Sequence, residues 1–454
     1  MNECRTMKAD TISAESADLD PGAAMMALSE ALFPICRSIT GDGMRRSLGI
    51  VGQYVPLQLH EIPTGTPILD WTVPKEWNIR DAFIETLDGR RIVDFADSNL
   101  HVLQYSLPID RVVSIGELQQ HLHSLPETPD LIPYRTAYFA ETWGFCLTQK
   151  QRESLAEPHY RVVIDATLAD GHLTYGELLL RGASDDEVLI SCHSCHPSLA
   201  NDNLSGMAVS TMLAHHLMTA RRRFTYRFLF IPGMLGSLTW LARNEEIVPR
   251  IRHGLVVSCV GDAGASTYKQ SRRGNAAIDR YAEHVLRHSG APHRVIPFSP
   301  YGYDERQYCS PGFDMPVGCL MRSPNGTYPE YHTSADNLGL LRRECLVDSL
   351  DKAKRIVDII EGDVTYRSLN PKGEPQLGRR GLYKPISGQK NIDDDAQMAL
   401  LWTLNLADGK HSLFDTAERS GLPFPLIRAA ADALREKHLL EAVPSPASGL
   451  RPDR

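Results

Sequence analysis

The chain has 454 residues, too many for one ordinary core, and 42% of them are apolar, enough to fill two or three domains. A formal net charge of -8 argues against general electrostatic affinity for nucleic acid or anionic membrane. The nine cysteines are odd in number and scattered, which fits reduced thiols in a cytosol and not a small secreted disulfide framework.

Residues 1–22 are polar and acidic, without an apolar signal segment, and read as a disordered leader; no run approaches the ~18 apolar residues of a membrane span. Ala23 to Ile39, with Met26, Leu28, Leu32, Phe33 and Ile35, reads as a helix interrupted near Pro34. Thr40-Gly41-Asp42-Gly43 breaks the chain, and helical periodicity resumes from Met44 to Val55. Between about 65 and 158 prolines and tryptophans recur among short alternating segments such as Arg91-Ile92-Val93-Asp94-Phe95, the texture of a small, mostly β insertion.

From about 160 the pattern becomes strand and helix in alternation. Strands are expected at 159–166, 173–181, 187–192, 224–231 and 254–260, and helices at 204–219, 236–246 and 275–289. Apolar strands spaced by amphipathic helices predict an α/β sheet covered on both faces, with its active site at the carboxyl ends of strands. Residues 367–394 are rich in Gly, Pro and Lys and read as a linker. Three short helices follow, Ala396 to Leu406, Ser412 to Ser420 and Pro423 to Lys437, which suggest a winged-helix-like module. Ser412 and Asp415 have capping-box spacing, and Pro423 suits a first helical turn. Between 396 and 441 five Lys/Arg face six Asp/Glu, so the module lacks the basic face of a DNA reader and is expected to pack or bind protein.

The chemistry concentrates in Ser191-Cys192-His193-Ser194-Cys195-His196-Pro197-Ser198-Leu199-Ala200-Asn201-Asp202-Asn203-Leu204-Ser205-Gly206. His193 ends a buried strand and His196 and Asp202 follow in the turn, so two imidazoles and a carboxylate have the donor types that zinc prefers. Asp202 and Asn203 also read as caps for the helix that follows. Cys192 and Cys195 have C-x-x-C spacing, but no second pair completes a four-cysteine site. Asp262, in Gly261-Asp262-Ala263-Gly264 after a strand, reads equally as a ligand and as a turn residue. A second cluster is Tyr331-His332-Thr333-Ser334-Ala335-Asp336-Asn337, where Asp336 is a reasonable partner for an imidazole N–H. In Asp304-Glu305-Arg306-Gln307, Glu305 is a candidate base or amine binder and Arg306 a carboxylate binder, against the plain reading of a surface charge cluster.

His193 after its strand, the Asn201-to-Gly206 turn, Gly236-Ser237 at a helix start and Tyr331-His332-Thr333 together resemble the zinc-dependent co-catalytic aminopeptidases. More closely, Trp71-Thr72-Val73-Pro74-Lys75-Glu76-Trp77, Pro133-Tyr134-Arg135-Thr136, Trp143-Gly144-Phe145-Cys146, Cys195-His196-Pro197-Ser198, Asp304-Glu305-Arg306-Gln307 and the Leu406-to-Leu422 stretch resemble a bacterial group of aminopeptidase-like proteins. Some of that group are associated with surface-polysaccharide or secondary-metabolite gene sets, and its members carry a small inserted domain and a C-terminal winged helix. The resemblance spans nearly residues 23 to 445.

The resemblance implies an α/β, three-layer aminopeptidase-like (phosphorylase/hydrolase-like) sheet built from 23–64 and 159–385, with a β-rich insertion at 65–158 and a winged-helix-like domain at 391–445. It matches His193 to the family's first histidine ligand, Asp202 to the bridging carboxylate and His332 to the distal histidine; Asp262, read from its strand-end position, and His196, an imidazole that the broader family does not explain, complete the metal candidates. Cys195 stands where the family's H-x-D aspartate would be, and Cys259 where its third-strand aspartate would be. The family's general-base glutamate is replaced by Gly233, and Met234 follows it. The expected function is a zinc-dependent, aminopeptidase-like hydrolase, with one zinc or two, acting on an amide of a small aminoacyl or peptide substrate, with Glu305 as substitute base. The alternative is a catalytically silent binding scaffold. A cytoplasmic location, no nucleic-acid or membrane partner, and a homo-oligomer complete the expectations.

Overall fold

The computed structural model describes residues 19–382 and 395–443, so most of the expected leader and the segment 383–394 of the expected linker lie outside the described residues. Pro21 and Gly22, assigned to the leader from sequence, already belong to the helix Pro21–Leu32, whose first amides are capped by the Asp20 side chain. A second helix, Asp42–Val51, follows the break at Gly41.

The described chain divides into two compact units. The first, running to Arg280 and resuming over Ala291–Ala353, contains an eight-stranded sheet. Its strands in chain order are β1 (Gln58–Pro63), β2 (His172–Leu180), β3 (Glu187–His193), β4 (Thr225–Ile231), β5 (Ile251–Val257), β6 (Ser266–Lys269), β7 (His293–Ile296) and β8 (Val317–Met321). They lie in the order β1-β2-β4-β3-β5-β8-β6-β7. The central run β4-β3-β5-β8 is parallel, while β1, β2 and β6 join antiparallel to their neighbours toward the centre. Every residue of β3 and β4 is buried, as a strand covered on both faces requires. Helices α1 (Gly206–Thr219) and α2 (Leu235–Arg243) follow β3 and β4 and start at the carboxyl edge of the sheet.

One strand departs from the sequence expectation. His159–Ala169, read as the opening of the α/β alternation, pairs with Glu76–Glu85 and Ile109–Ser114 in a separate four-stranded sheet. Its alternating burial shows a one-faced strand, a pattern that antiparallel pairing favours over a place in the parallel core. The short β1, β6, β7 and β8 were not foreseen; β1 and β7 are largely exposed or half-buried, which blurs their periodicity, while β8 is a buried run of only five residues.

The second unit includes Tyr281–Gly290 and the chain from Lys354. It holds helices Asp395–Leu406, Leu413–Ser420 and Phe424–Glu436 with a three-stranded sheet of Asp408–Ser412, Thr365–Ser368 and Leu440–Ala442. The capping box forms as expected, Ser412 Oγ accepting from the Asp415 amide at 3.1 Å and Asp415 Oδ2 from the Ser412 amide at 3.1 Å. Pro423 is the cap residue, and Pro425 lies in the first turn. Part of the expected linker, Thr365–Ser368, is the central strand of this small sheet.

A charge sits inside the large sheet. Arg227, in the middle of β4 and 5% exposed, donates to Glu187 Oε2 at 2.7 Å and Oε1 at 3.0 Å, and also pairs with Glu177. Burial alone would raise the Glu177 carboxyl, but His60 and Arg227 outweigh it and hold it at about 2. Replacing Arg227 by Met would leave the buried Glu187 without its cation, and the half-buried Glu177 with His60 alone, and is expected to cost about 3–5 kcal/mol in urea unfolding; a loss within ~0.5 kcal/mol would contradict this role. Because the folded pKa of Glu177 is depressed, its contribution is present above pH 4.5 and lost as pH falls toward 2. An acid titration of stability should therefore be shallower in Glu177→Gln.

Candidate metal centre

His193 is the last residue of β3, and the chain turns through Pro197 to Leu199 before α1. Both Asp202 and Asn203 were candidates for capping that helix, and the structure separates them. Asn203 Oδ1 accepts from the Gly206 amide at 3.1 Å and from the Cys259 amide at 3.1 Å. A side chain at Gly206 would strike Asn203 and the Val257 carbonyl, so only glycine fits this junction. With Asn203 occupied in this way, Asp202 is free to face the histidines.

The Asp202 carboxylate is wholly buried and has an imidazole on each oxygen: His193 Nε2 lies 2.7 Å from Oδ1 and His332 Nε2 lies 3.0 Å from Oδ2. Donor atoms of His193, His196 and Asp202 all lie within 4.8 Å of one another. Burial pushes His196 well below the ordinary imidazole value, against the pull of Asp202. For Asp202 burial acts upward, but His196 and the hydrogen bonds from His193 and His332 outweigh it, and the group stays ionised. A buried carboxylate among imidazoles, with no Lys or Arg paired to it among the described residues, is the donor chemistry that a divalent cation satisfies.

The rest of the turn is held from behind. Asp336 Oδ1 accepts from the Asn201 amide at 2.6 Å, and its Oδ2 from the Asp202 amide at 3.0 Å. The sequence placed Asp336 on an imidazole N–H; the structure instead places it on the backbone of the ligand turn. Burial pushes its carboxyl up to about 7. His332 is presented by a loop tied to the 65–158 region: Tyr134 donates its amide to the His332 carbonyl at 2.8 Å, and Pro133 bridges to Thr333. The Tyr134 ring packs edge-on against His196 and His332 at 5.1 and 5.0 Å.

The remaining candidates take other partners. Asp262 closes a turn of its own, with Oδ2 accepting from Asn201 Nδ2 at 2.7 Å and Oδ1 from Ser323 Oγ at 2.7 Å and the Gly264 amide at 2.5 Å. Glu305 is 2% exposed, with Oε1 on Lys269 Nζ at 2.8 Å and Oε2 on the Tyr303 amide at 3.2 Å. Cys195 accepts from the Gly233 amide at 3.2 Å, and burial pushes its thiol up to about 12, so it stands as a neutral thiol where the resemblance placed a carboxylate. Cys192 and Cys195 are both unpaired thiols.

Sequence reasoning missed Tyr303. Its ring stacks on His193 with centroids 4.1 Å apart, and its hydroxyl lies 3.1 Å from Asp202 Oδ2, 3.1 Å from His332 Nε2 and 2.7 Å from Tyr331 Oη. The available signal was its place directly before Asp304-Glu305-Arg306-Gln307. Beside it opens a cavity of about 190 Å³ lined by Ile39, Tyr138, Phe139, Cys195, His196, Gly233, Met234, Leu235, Gly302, Tyr303 and Arg306. None of these is a carboxylate.

Asp336→Ala would orphan two buried amides at about 1–3 kcal/mol each and release the ligand turn. Thermal or urea unfolding should show that loss, and a neutral result would contradict the anchoring role.

Residues 26–363 match the domain of unknown function DUF4910, and residues 364–442 match a winged helix-turn-helix family. The chain is 47% identical over 424 residues, 93% of its length and 97% of the relative's, to a Clostridium acetobutylicum protein named for polysaccharide biosynthesis with an aminopeptidase-like domain. A crystal structure described as a peptidase from the same organism superposes with a TM-score of 0.89 at 46% identity, covering 93% of this chain and 96% of that one. The zinc aminopeptidase of Bacillus subtilis shares the fold at a TM-score of 0.55 and 14% identity, over 75% of this chain and 94% of that one. The chain therefore belongs to the DUF4910 family, with an aminopeptidase-like fold and a C-terminal winged helix.

Proposed function

We propose that this chain is a zinc-dependent, aminopeptidase-like hydrolase acting on an amide of a small aminoacyl or peptide substrate within a biosynthetic pathway. The observation that carries the reading is the buried Asp202 carboxylate with imidazoles on both oxygens, at the carboxyl edge of an aminopeptidase-like sheet. Asp202, His193, His196 and His332 are the residues that would hold the ion. When bound, zinc supplies a Lewis acid that polarises the amide carbonyl. Asp262 is committed to Asn201, Gly264 and Ser323, which leaves His193, His196, Asp202 and His332 as the donors for one zinc or two.

The protein's own groups set what the site accepts. Arg306 lines the cavity, so an anionic group on the ligand, such as a free carboxylate, would meet a cationic side chain there. Tyr138 and Phe139 bring the 65–158 region to the same cavity. Eight described cysteines are all unpaired, which supports a reducing cytoplasm as the location. Among the described residues no helix is long and apolar enough to cross a membrane. The relative's name supports a biosynthetic role over general peptide degradation.

A specific observation favours a second reading, a site that binds its ligand without peptidase turnover. Gly233 lines a cavity without a carboxylate, and a positioned base is worth roughly 10²- to 10⁴-fold in rate. Glu305, paired with Lys269, is poorly placed to replace it. Release of product from a panel of aminoacyl amides and dipeptides separates the two. Turnover that needs added zinc and disappears in Asp202→Ala supports the hydrolase. No turnover in the natural chain, with a gain in Gly233→Glu, supports the silent site. Turnover unchanged by Asp202→Ala would contradict both.

A further inference from the structure

Three atoms at the centre of the site form a closed triangle. Asp202 Oδ2 lies 3.0 Å from His332 Nε2 and 3.1 Å from Tyr303 Oη, and Tyr303 Oη lies 3.1 Å from His332 Nε2. Donor atoms around a tetrahedral zinc ion, each about 2.0–2.1 Å from the metal, are spaced about 3.3 Å from one another. The triangle has the dimensions of one face of such a tetrahedron, and His196 Nε2, 3.5 Å from Tyr303 Oη, is the next imidazole nitrogen beside it.

The phenol is held there by packing and not by chance. Its ring lies flat on His193, and its backbone amide is fixed by Glu305, itself clamped by Lys269. The ring fills the space that Gly233 leaves open: a Cβ built on Gly233 would lie 3.5 Å from Tyr303 Cδ1, so a longer side chain there would meet the ring. The absent side chain and the added ring are complementary. We propose that Tyr303 is a protein ligand of the metal, its hydroxyl oxygen completing the shell on the Oδ2 side of Asp202 with His332 and His196. The ion is thereby closed off by protein where catalytic zinc sites keep an open position, and a substrate must displace Tyr303 to reach it. This rests on the metal-site reading above.

Two measurements on the full-length protein test it: zinc titration against a competing chromophoric chelator, and the crystal structure of zinc-soaked protein. The expected results are an ion about 2.0–2.2 Å from Tyr303 Oη and a zinc affinity at least about tenfold weaker in Tyr303→Phe, the scale on which even outer partners of a metal act. Zinc held by the histidines and Asp202 with Tyr303 Oη beyond hydrogen-bond distance, at equal affinity in both proteins, would overturn the Tyr303 assignment and leave the metal site standing. Zinc bound only after Tyr303→Phe would overturn it too, by showing the phenol to be a plug. No zinc in either protein would overturn the metal-site reading itself. The structure of the natural protein decides the point even where Tyr303→Phe folds poorly.

Discussion

The constraint on which the site depends is one buried negative charge. Asp202 has no exposed surface and, among the described residues, no lysine or arginine paired to it, and a carboxylate in that position is costly unless its surroundings are organised for it. The organisation is extensive. Asp336 holds the backbone on either side of the Asn201–Asp202 peptide, Asn203 takes over the helix junction, Gly206 lets α1 approach β5, and two strand-end or loop histidines meet the two carboxylate oxygens. Such a converging set is pre-organised for a cation before any ion arrives.

The sheet explains why these groups meet. β3, β4 and β5 run parallel, so His193, Gly233 and Cys259 emerge at or just beyond the same edge, as crevices of open α/β sheets require. The chain has kept the donors on β3 and the distal histidine, yet it carries glycine after β4 and a neutral, buried thiol after β5. With Tyr303 stacked on His193 and lying beside Gly233, the adjoining cavity is lined by aromatic, apolar and thiol groups and by no carboxylate.

Much of this was legible in the sequence because it is local. The fully buried strands β3 and β4, the helix after Gly206, the capping box at Ser412 and the grouping of His193, His196 and Asp202 all follow from short-range patterns. What was not legible depends on partners far along the chain. His159–Ala169 has the composition of a core strand, but its pairing with Glu76–Glu85 is a tertiary choice. Asp262 and Glu305 each had residue types suited to a site, and only their partners, Ser323 and Lys269, show that they hold loops. Tyr303 carries no motif at all, and its significance comes from a neighbour 70 residues earlier in the chain, where glycine leaves room for its ring. The role of Pro133 and Tyr134 in presenting His332 is likewise a contact between segments about 200 residues apart.

The central claim is that the buried carboxylate exists to hold a metal. Elemental analysis of the full-length protein as purified, without added metal, tests it most directly, alongside Asp202→Asn, which keeps the shape and removes the charge. The account predicts about one zinc per chain in the natural protein and a large loss in Asp202→Asn. Stoichiometric metal in neither protein, or equal metal in both, would contradict it.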